Sequence, residues 1–304
     1  MGAAAMDWDK LRIFHAVAAA GSFTHAGQTL SLSQSAVSRQ IGTLEEELGL
    51  MLFQRHARGL TLTEEGELLF GAVADVLLRL AAAEEALKNV QETPTGALKV
   101  TATHGIGTYW LLPRVKDFIA EHPGVDLHMV LEDRELDLAQ RQADIALRMR
   151  APVQADLIQR KLFTVHYHIY ASRDYLARNG APESLAGLRS HPIVVYGETA
   201  APEIREVNWL LDAWRRTVDD AGKCAPVLRV NNLTGILHAV EDGMGLGALP
   251  DFVTAGRPDL VRLLPDVEAP AFDVHLVYCD ALRHSKRVAA FRDFLLRLTR
   301  EWQF

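Results

Sequence analysis

The first part of the chain has apolar positions at helical spacing, interrupted by short polar turns. They recur every three or four residues in Leu11–Ala18 and again in Val37–Leu48, which predicts two amphipathic helices. A shorter helical pattern, Phe23–Leu30, lies between them, and Ser22 and Ser33 are residue types that cap helix N-termini. The pattern therefore predicts three helices, with a tight turn before the third.

An uninterrupted helical pattern without proline occupies residues 64–91. Thr63 is placed to cap it, and Glu64 and Glu65 lie where the positive end of the helix dipole favours carboxylates. Apolar residues along it alternate spacings of four and three, which is typical of a coiled-coil seam and predicts pairing with a second copy of the chain. The alternative is packing of this stripe on the chain's own C-terminal part. The predicted dimerisation seam contains Leu69, Val73, Val76, Leu80, Ala83, Leu87 and Val90.

The pattern of hydrophobic positions changes after Glu92–Gly96, a segment rich in residues that interrupt helices. Short β-branched segments then alternate with helical patterns, which predicts a parallel sheet covered by helices and hence an α/β fold class after an all-α start. The predicted strands are Leu98–Thr103, Val125–Leu131, Asp144–Leu147, Leu162–Tyr170, Ile193–Tyr196, Val227–Val230, Gly245–Leu249 and Asp273–Tyr278. The predicted helices between them include Leu111–Glu121, Val207–Val218, Thr234–Glu241 and His284–Trp302.

Length and composition limit the classes of protein that the chain can represent. Its 304 residues predict two or three domains, and 49% hydrophobic with 23% charged residues excludes bulk disorder and fibres. We expect no membrane partner, because no apolar run reaches the ~18–20 residues of a span and the start MGAAAM lacks the features of a secretory signal. Two cysteines, Cys224 and Cys279, form no disulfide framework and predict a reducing cytoplasm.

The third predicted helix presents small polar side chains opposite its apolar stripe. Small side chains let a helix enter the major groove deeply, while Gln and Arg reach base edges or phosphates. An extended hairpin after Gly49 carries two arginines near its tip, which predicts a wing against the sugar–phosphate backbone. The DNA-binding residues predicted in this way are Ser33, Gln34, Ser35, Ser38, Arg39, Arg55 and Arg58.

Charge leaves a structural alternative open, namely a three-helix bundle that merely has a polar face. The net charge of −7 gives no indication of a nucleic-acid partner, and residues 6–66 hold five basic against seven acidic side chains. The arginines nevertheless lie where a groove and its rims would be. We therefore predict binding to double-stranded DNA that depends on dimerisation for its strength and uses two half-sites of a roughly palindromic operator.

Polar residues and glycines follow the ends of several predicted strands, where α/β sheets bind their ligands. Hydroxyl, imidazole and amide groups at helix starts, together with an arginine at a strand end, favour an anionic small molecule. The alternatives are helix capping by Thr103 and Thr234 and a surface salt bridge of Arg148. The predicted effector-binding residues are Thr103, His104, Gly105, Ile106, Arg148, Tyr196, Asn232, Thr234 and Gly247.

The segment SFTHAGQTLSLSQSAVSRQIGTLEEELGLMLFQRHARGLTLTEEG resembles the N-terminal winged helix-turn-helix of the LysR-type transcriptional regulators. SQSAVSRQI, LEEELG, LFQR and LTEEG sit in register with that family, and the start MDWDKLRIF is similar to an alphaproteobacterial subgroup. The resemblance implies a sequence-specific DNA-binding regulator that is not an enzyme. It also implies a linker helix that pairs two protomers, assembly into a tetramer, and an effector domain like the periplasmic binding proteins, with a small-molecule cleft between two lobes.

The same resemblance implies a division of the chain into three parts. The winged helix-turn-helix takes residues 6–63, with the helix-turn-helix itself at 23–42, and the linker helix takes 64–92. The effector domain takes 97–304. Within it, lobe I comprises 97–167 and 270–304, and lobe II comprises 168–269. No cofactor is expected.

Three other signals have simpler interpretations. Gly243–Gly247 follows a helical pattern, so we interpret it as a helix end and turn rather than a dinucleotide-binding loop. His166 and His168 share one face of a strand without a third ligand at metal-site spacing. Cys279 ends an apolar strand and is expected in the core.

Cys224 follows Lys223, a cation that favours the reactive thiolate. The alternative function is therefore a redox-responsive regulator that senses through Cys224, against a passive cysteine. An enzyme or a ligand carrier built on the α/β part is a further alternative, although the sequence has no nucleophile elbow, phosphate loop or metal cluster.

Overall fold

A computed structural model describes residues 7–56, 59–88, 93–133, 136, 138, 142–150, 157–197, 205–216 and 228–301. The chain divides into two compact units, of which the first ends at Leu87 and the second begins at Lys88. No helix among the described residues has the length and apolar character needed to cross a membrane.

The first unit consists of four helices and a two-stranded antiparallel sheet. The helices are α1 (Trp8–Ala20), α2 (Phe23–Leu30), α3 (Gln34–Leu48) and α4 (Glu64–Lys88), and the strands are β1 (Phe53–His56) and β2 (Gly59–Leu62).

The helix ends in this unit follow from local chemistry that the sequence carries. Asp7, Ser22 and Ser33 each accept a backbone N–H of the following turn through their side chains, as N-cap residues do. Gly21 and Gly49 end α1 and α3 in the left-handed conformation, at φ 59° and 67°, which glycine adopts without steric cost. The three helices predicted for this region are therefore confirmed.

The core of the first unit lies between the three short helices and the start of α4. Phe14, Val37 and Leu44 are fully buried there, and the Phe14 ring packs on Phe53 of β1 with centroids 5.3 Å apart. The predicted stripe of α3 therefore faces inward, and this orientation leaves the opposite side of the helix toward solvent.

The second unit is a mixed sheet covered by helices. Its strands are β3 (Gly96–Ala102), β4 (Val125–Leu131), β5 (Ile145–Arg148), β6 (Leu157–Ser172), β7 (Ile193–Tyr196), β8 (Leu228–Val230), β9 (Leu246–Pro250), β10 (Leu260–Leu263) and β11 (Ala271–Cys279). Its helices are α5 (Leu112–Glu121), α6 (Arg173–Asn179), α7 (Trp209–Arg215), α8 (Leu233–Glu241), α9 (Asp251–Thr254) and α10 (Lys286–Glu301).

Strand β6 connects two halves of this sheet, whose order is β4-β3-β5-β11-β6-β9-β7-β8 with β10 also paired to β6. Residues 157–166 of β6 pair with β11, and residues 167–172 pair with β9 and β10. Strands β3, β4 and β5 are parallel to one another, as are β7, β8 and β9. The change of partner falls between His166 and Tyr167. Below, lobe I is the half of the sheet with β3, β4, β5 and β11, and lobe II is the half with β7, β8, β9 and β10, each with its helices.

Several elements differ from the predicted ones. Helix α5 is preceded by a π-helical segment, Ile106–Leu111, and by a helical turn at His104 and Gly105, so the predicted loop after β3 is helical. Strand β10 and helices α6 and α9 were not predicted. These elements have four to seven residues, which is too short for a periodic pattern to stand out.

Candidate DNA-binding surface and effector cleft

The exposed face of α3 carries the side chains predicted to enter the major groove. Gln34, Ser35 and Arg39 are exposed, and Ser38 is half-buried. Ser33 Oγ accepts the Ala36 N–H over 3.2 Å and also lies 3.1 Å from Ser35 Oγ. The capped start of α3 therefore presents small hydroxyl and amide groups to solvent, with Arg39 one turn farther along.

Acidic residues at the C-terminal end of α3 contact the start of the wing and helix α1. Glu45 Oε1 accepts the backbone N–H groups of Leu52 and Phe53 over 2.8 and 3.2 Å, which fixes the chain where the wing begins. Glu47 forms an ion pair with Lys10 of α1. These carboxylates are therefore engaged away from the N-terminal half of α3, where the predicted DNA contacts lie.

The predicted wing is present as the hairpin of β1 and β2, in which Arg55 pairs with Leu60. Arg55 lies on β1, and Arg58 lies outside the described residues. Thr63 Oγ1 accepts the Gly66 N–H over 3.0 Å and donates to the Met51 carbonyl over 2.7 Å. This hydroxyl joins the start of α4 to the start of the wing.

The apolar stripe on α4 is buried in its first turns and exposed farther along the helix. Val73 is 3% exposed and belongs to the core of the first unit, and Leu69 packs against the same core. The assignment of Val73 to a dimer seam is therefore wrong, because this turn covers the chain's own helices, whereas Leu69 is only half-buried and its assignment stays a prediction. Farther along, Val76 and Leu80 are 44% and 48% exposed.

The remaining seam residues follow the two exposed ones. Ala83 is exposed, and Leu87 lies on α4. Val90 lies outside the described residues. The exposed part of the stripe therefore starts where the first unit no longer covers the helix.

The cleft region of the second unit begins at the end of β3. Thr103 is buried and accepts the Gly107 N–H through its carbonyl over 2.8 Å. The His104 side chain is exposed, and its backbone N–H donates to Asp133 Oδ1 over 3.0 Å. A Cβ atom on Gly105 would lie 2.6 Å from Leu233 Cδ2, so this turn of lobe I touches the start of α8 in lobe II.

Two tyrosines meet where β6 passes between the lobes. Burial, above all, raises the pKa of both Tyr167 and Tyr196, and each side chain also shifts the pKa of the other. The charge of Asp133 raises both pKa values further. The Tyr196 backbone is held by the Asn208 side chain, which accepts its N–H over 3.0 Å. The raised pKa values keep the hydroxyls of the predicted residue Tyr196 and of Tyr167 protonated at neutral pH.

The two predicted residues at the start of α8 both form side-chain hydrogen bonds. Asn232 Oδ1 accepts the Gly235 N–H over 2.8 Å and caps the helix. Thr234 Oγ1 accepts a hydrogen bond from the Tyr109 hydroxyl over 3.2 Å. Thr234 of lobe II therefore contacts Tyr109 of lobe I.

Three predicted effector residues are buried or closely packed inside the second unit. The Ile106 side chain is fully buried in the core. A Cβ atom on Gly247 would lie 2.5 Å from Val240 Cγ2, so Gly247 serves the close packing of α8 on β9. Arg148 is 6% exposed, which rules out a surface salt bridge. Its guanidinium donates to the Glu132 carbonyl and to Thr101 Oγ1, both over 3.1 Å, which anchors it inside lobe I, and its use as a carboxylate partner stays a prediction.

Other residues of this region were missed by sequence reasoning. Tyr109, Tyr167 and Asp133 lie at the junction of the lobes, but each stands in a pattern that indicates only a helix, a strand or a loop. The contact between His166 and Asp251 was also missed, with His166 Nδ1 3.4 Å from Asp251 Oδ2. Only the tertiary structure brings these residues together.

The remaining sequence signals have simple outcomes. Gly243 follows the end of α8 at φ 72°, and β9 starts at Leu246, so the glycine-rich run is a helix end and turn as predicted. Cys279 is buried, and its thiol donates to the Leu138 carbonyl over 3.3 Å. Cys224 lies outside the described residues.

A capped helix with an exposed polar face, a wing, a long helix and a two-lobed α/β unit define a ligand-responsive DNA-binding regulator. Family models agree with this class. The bacterial regulatory helix-turn-helix of the lysR family matches residues 8–67, and the LysR substrate binding domain matches residues 91–300. The chain belongs to the LysR family of transcriptional regulators.

Relatives match along almost the whole chain. It is 32% identical to the HTH-type transcriptional regulator PtxR of Pseudomonas aeruginosa over 293 residues, covering 95% of this chain and 92% of the relative. It is 30% identical to CrgA of Neisseria meningitidis serogroup C over 295 residues, covering 95% of each. The solved structure of CrgA from Neisseria meningitidis aligns over 96% of this chain and 98% of its own, with a TM-score of 0.59 and 29% identity.

A third similarity concerns the fold alone. Full-length CbnR, solved in complex with its target DNA, aligns with a TM-score of 0.57 at 18% identity, over 96% of this chain and 99% of its own.

Proposed function

We propose that the chain binds an operator through the exposed face of α3 and the wing. Ser33, Gln34, Ser35, Ser38 and Arg39 contact the groove, and Arg55 and Arg58 contact the backbone. The observation that carries this proposal is the orientation of α3, since its apolar stripe is buried while Gln34, Ser35 and Arg39 are exposed. The structure of CbnR, which has the same fold, has been solved in complex with its target DNA. This supports DNA binding by the fold of the present chain.

Dimerisation through α4 completes the proposal. The seam comprises Val76, Leu80 and Ala83, continued by Leu87 and Val90, and pairs two chains so that two copies of α3 reach two half-sites of a roughly palindromic operator. The exposure of Val76 and Leu80 supports this. The resemblance extends this proposal in two ways. The chain assembles into a tetramer in the bacterial cytoplasm, associated with the nucleoid, and it belongs to an alphaproteobacterial subgroup.

The effector is proposed to be a polar small molecule bound where lobes I and II meet. Thr103, His104, Gly105, Tyr196, Asn232 and Thr234 remain as predicted contacts. Arg148, which is anchored inside lobe I, remains the predicted partner of an anionic group. The predicted division of the chain is kept, with a winged helix-turn-helix at 6–63, a linker at 64–92 and an effector domain at 97–304. Closure or opening of the lobes shifts the placement of the paired DNA-binding domains.

Binding to the DNA upstream of the chain's own coding region tests the proposal. Fluorescence anisotropy of labelled upstream fragments, with a scrambled fragment of equal length as competitor, measures sequence-selective affinity. The titration should give a stoichiometry of two chains or a multiple of two, and footprinting of the same fragment should show two protected half-sites on one face of the DNA. Equal affinity for upstream and scrambled DNA would contradict the proposal.

A further inference from the structure

Tyr109 and Thr234 join the two lobes through their side chains. The Tyr109 hydroxyl donates to Thr234 Oγ1 over 3.2 Å, between residues 125 positions apart in the chain. Tyr109 belongs to the π-helical segment Ile106–Leu111 of lobe I, and Thr234 is the second residue of α8 in lobe II. The bond therefore spans the junction at which the effector is proposed to bind.

The segment that carries Tyr109 is anchored on one side of the junction. Trp110 and Leu111 are 1% and 0% exposed, and the Trp110 ring packs on Phe163 of lobe I with centroids 4.6 Å apart. A π-helical turn is rare and occurs frequently at functional sites. Since the two residues after Tyr109 are fixed in lobe I, a movement of lobe I away from lobe II carries the Tyr109 hydroxyl with it.

Lobe II holds the tyrosine ring by a second contact. The Arg257 guanidinium lies over the Tyr109 ring, 5.9 Å from its centroid, which is an attractive cation–π geometry. Arg257 is itself fixed in lobe II, because its Nε donates to the Val253 carbonyl over 2.9 Å and its guanidinium pairs with Glu241. Tyr109 is thus held from lobe II at both its ring and its hydroxyl.

We propose that Tyr109 and Thr234 form a latch that keeps lobes I and II closed without effector. The Tyr109 hydroxyl donates to Thr234 Oγ1, so an effector group that donates to the same lone pair of Oγ1 displaces the Tyr109 hydroxyl. The latch therefore opposes effector entry and couples occupancy of the cleft to separation of the lobes. This regulatory role rests on the proposed effector cleft, whereas the latch itself can be tested on the effector-free protein.

Hydrogen–deuterium exchange of the full-length chain tests the latch. Tyr109→Phe removes the hydroxyl and keeps the ring under Arg257, and Thr234→Val removes the partner hydroxyl at nearly constant volume. Each variant should accelerate exchange about fivefold in both 104–112 and 233–240, because one hydrogen bond contributes roughly that factor to a local opening equilibrium. The double variant should exchange no faster than the faster single variant, since both remove the same bond.

The response across the junction separates a latch from a local structural role. Tyr175→Phe is the matched control, because the Tyr175 hydroxyl is hydrogen-bonded to His191 Nδ1 over 2.8 Å within lobe II. It should accelerate exchange in 172–191 and leave 104–112 unchanged. The latch is overturned if Tyr109→Phe leaves 233–240 at the wild-type rate or if the effects of the two single variants add. Circular dichroism verifies folding, and Tyr109→Phe carries the test alone if Thr234→Val does not fold. Operator affinity is measured separately, so loss of DNA binding and loss of the latch are distinguishable.

Discussion

Gly27 and Leu32 approach each other so closely that no side chain fits between them. A Cβ atom on Gly27 would lie 2.7 Å from the Leu32 carbonyl oxygen. The Leu32 N–H donates to the Gly27 carbonyl over 2.8 Å. The turn between α2 and α3 is thus folded back on the middle of α2, and this contact sets how α3 leaves the turn.

Replacing Gly27 with alanine should destabilise the first unit although Gly27 lies inside a helix. Alanine gains ~1 kcal/mol over glycine in helix propensity. The methyl group would collide with backbone, which cannot rotate away as a side chain can, so we expect a net loss of about 1–3 kcal/mol in the free energy of unfolding. Urea unfolding followed by circular dichroism measures it.

Gly42→Ala is the control for that variant. A Cβ atom on Gly42 would meet nothing within 4 Å, and Gly42 also lies inside a helix, α3. This variant should therefore be as stable as the wild type or more stable. Equal stability of Gly27→Ala and the wild type would show that the turn can move.

What the sequence predicts well is what depends on neighbours in the chain. Ser33 and Gly49 mark the two ends of α3, and the caps they form involve residues at most four positions away. The spacing of Val37, Ile41 and Leu44 likewise decides which face of α3 is buried. The bounds of α2 and α3 could therefore be predicted almost to the residue.

What the sequence predicts poorly depends on distant partners. Arg148 ends a strand, as expected. Its guanidinium donates a hydrogen bond inside lobe I to Thr101, which lies 47 positions away in the chain. Val73 fits a seam by spacing, yet the core of the first unit covers it. Tyr109 has no local signature, and it acquires a role only because folding places Thr234 within hydrogen-bond distance.

Arg39→Ala should weaken operator binding selectively. Arg39 is exposed on the polar face of α3, and loss of one arginine contact to a base costs about 1–3 kcal/mol at the recognised position. Affinity for the upstream fragment should therefore fall by roughly fivefold to 150-fold while affinity for scrambled DNA changes little. Arg55→Ala should weaken binding to both fragments alike, since a wing residue is proposed to contact the backbone.

Lys116→Ala is the control for these arginine variants. It removes an exposed positive charge from α5 of the second unit, so affinity for both fragments should remain at the wild-type value. If Arg39→Ala behaves like Lys116→Ala at moderate salt, the assignment of α3 to the groove is wrong.

Leu80→Glu should disrupt pairing of the chains. Leu80 is a large apolar side chain, 48% exposed on α4, and a carboxylate buried without a partner in a seam is strongly unfavourable. We expect the dimer dissociation constant to rise roughly tenfold or more, as sedimentation equilibrium would measure. Gly71→Glu is the matched control.

Gly71 lies nine positions before Leu80, about two and a half helical turns, and so on the opposite side of α4. A Cβ atom there would meet nothing within 4 Å. Gly71→Glu should therefore leave the dimer intact. Dissociation of both variants to the same extent would locate the pairing surface elsewhere.

His15 should make the stability of the first unit depend on pH. Its ring stacks on Phe70 of α4 with centroids 4.9 Å apart, and burial lowers its pKa below the ordinary value of 6.5. As the pH falls below 6.5, the unfolded chain takes up the proton before the folded chain does. The contribution of His15 is therefore complete above that pH and is lost as the pH falls from 6.5 toward the folded pKa.

The measurement compares His15→Gln with His25→Gln, which changes an exposed histidine on α2. Burial also lowers the pKa values of His168 and His191, so the wild type should lose stability in acid from several sites. Urea unfolding at pH 7.5 and 5.5 should show a smaller loss for His15→Gln than for the wild type, and an unchanged loss for His25→Gln. A loss in His15→Gln as large as in the wild type would mean that protonation of this ring does not oppose the packing of α1 on α4.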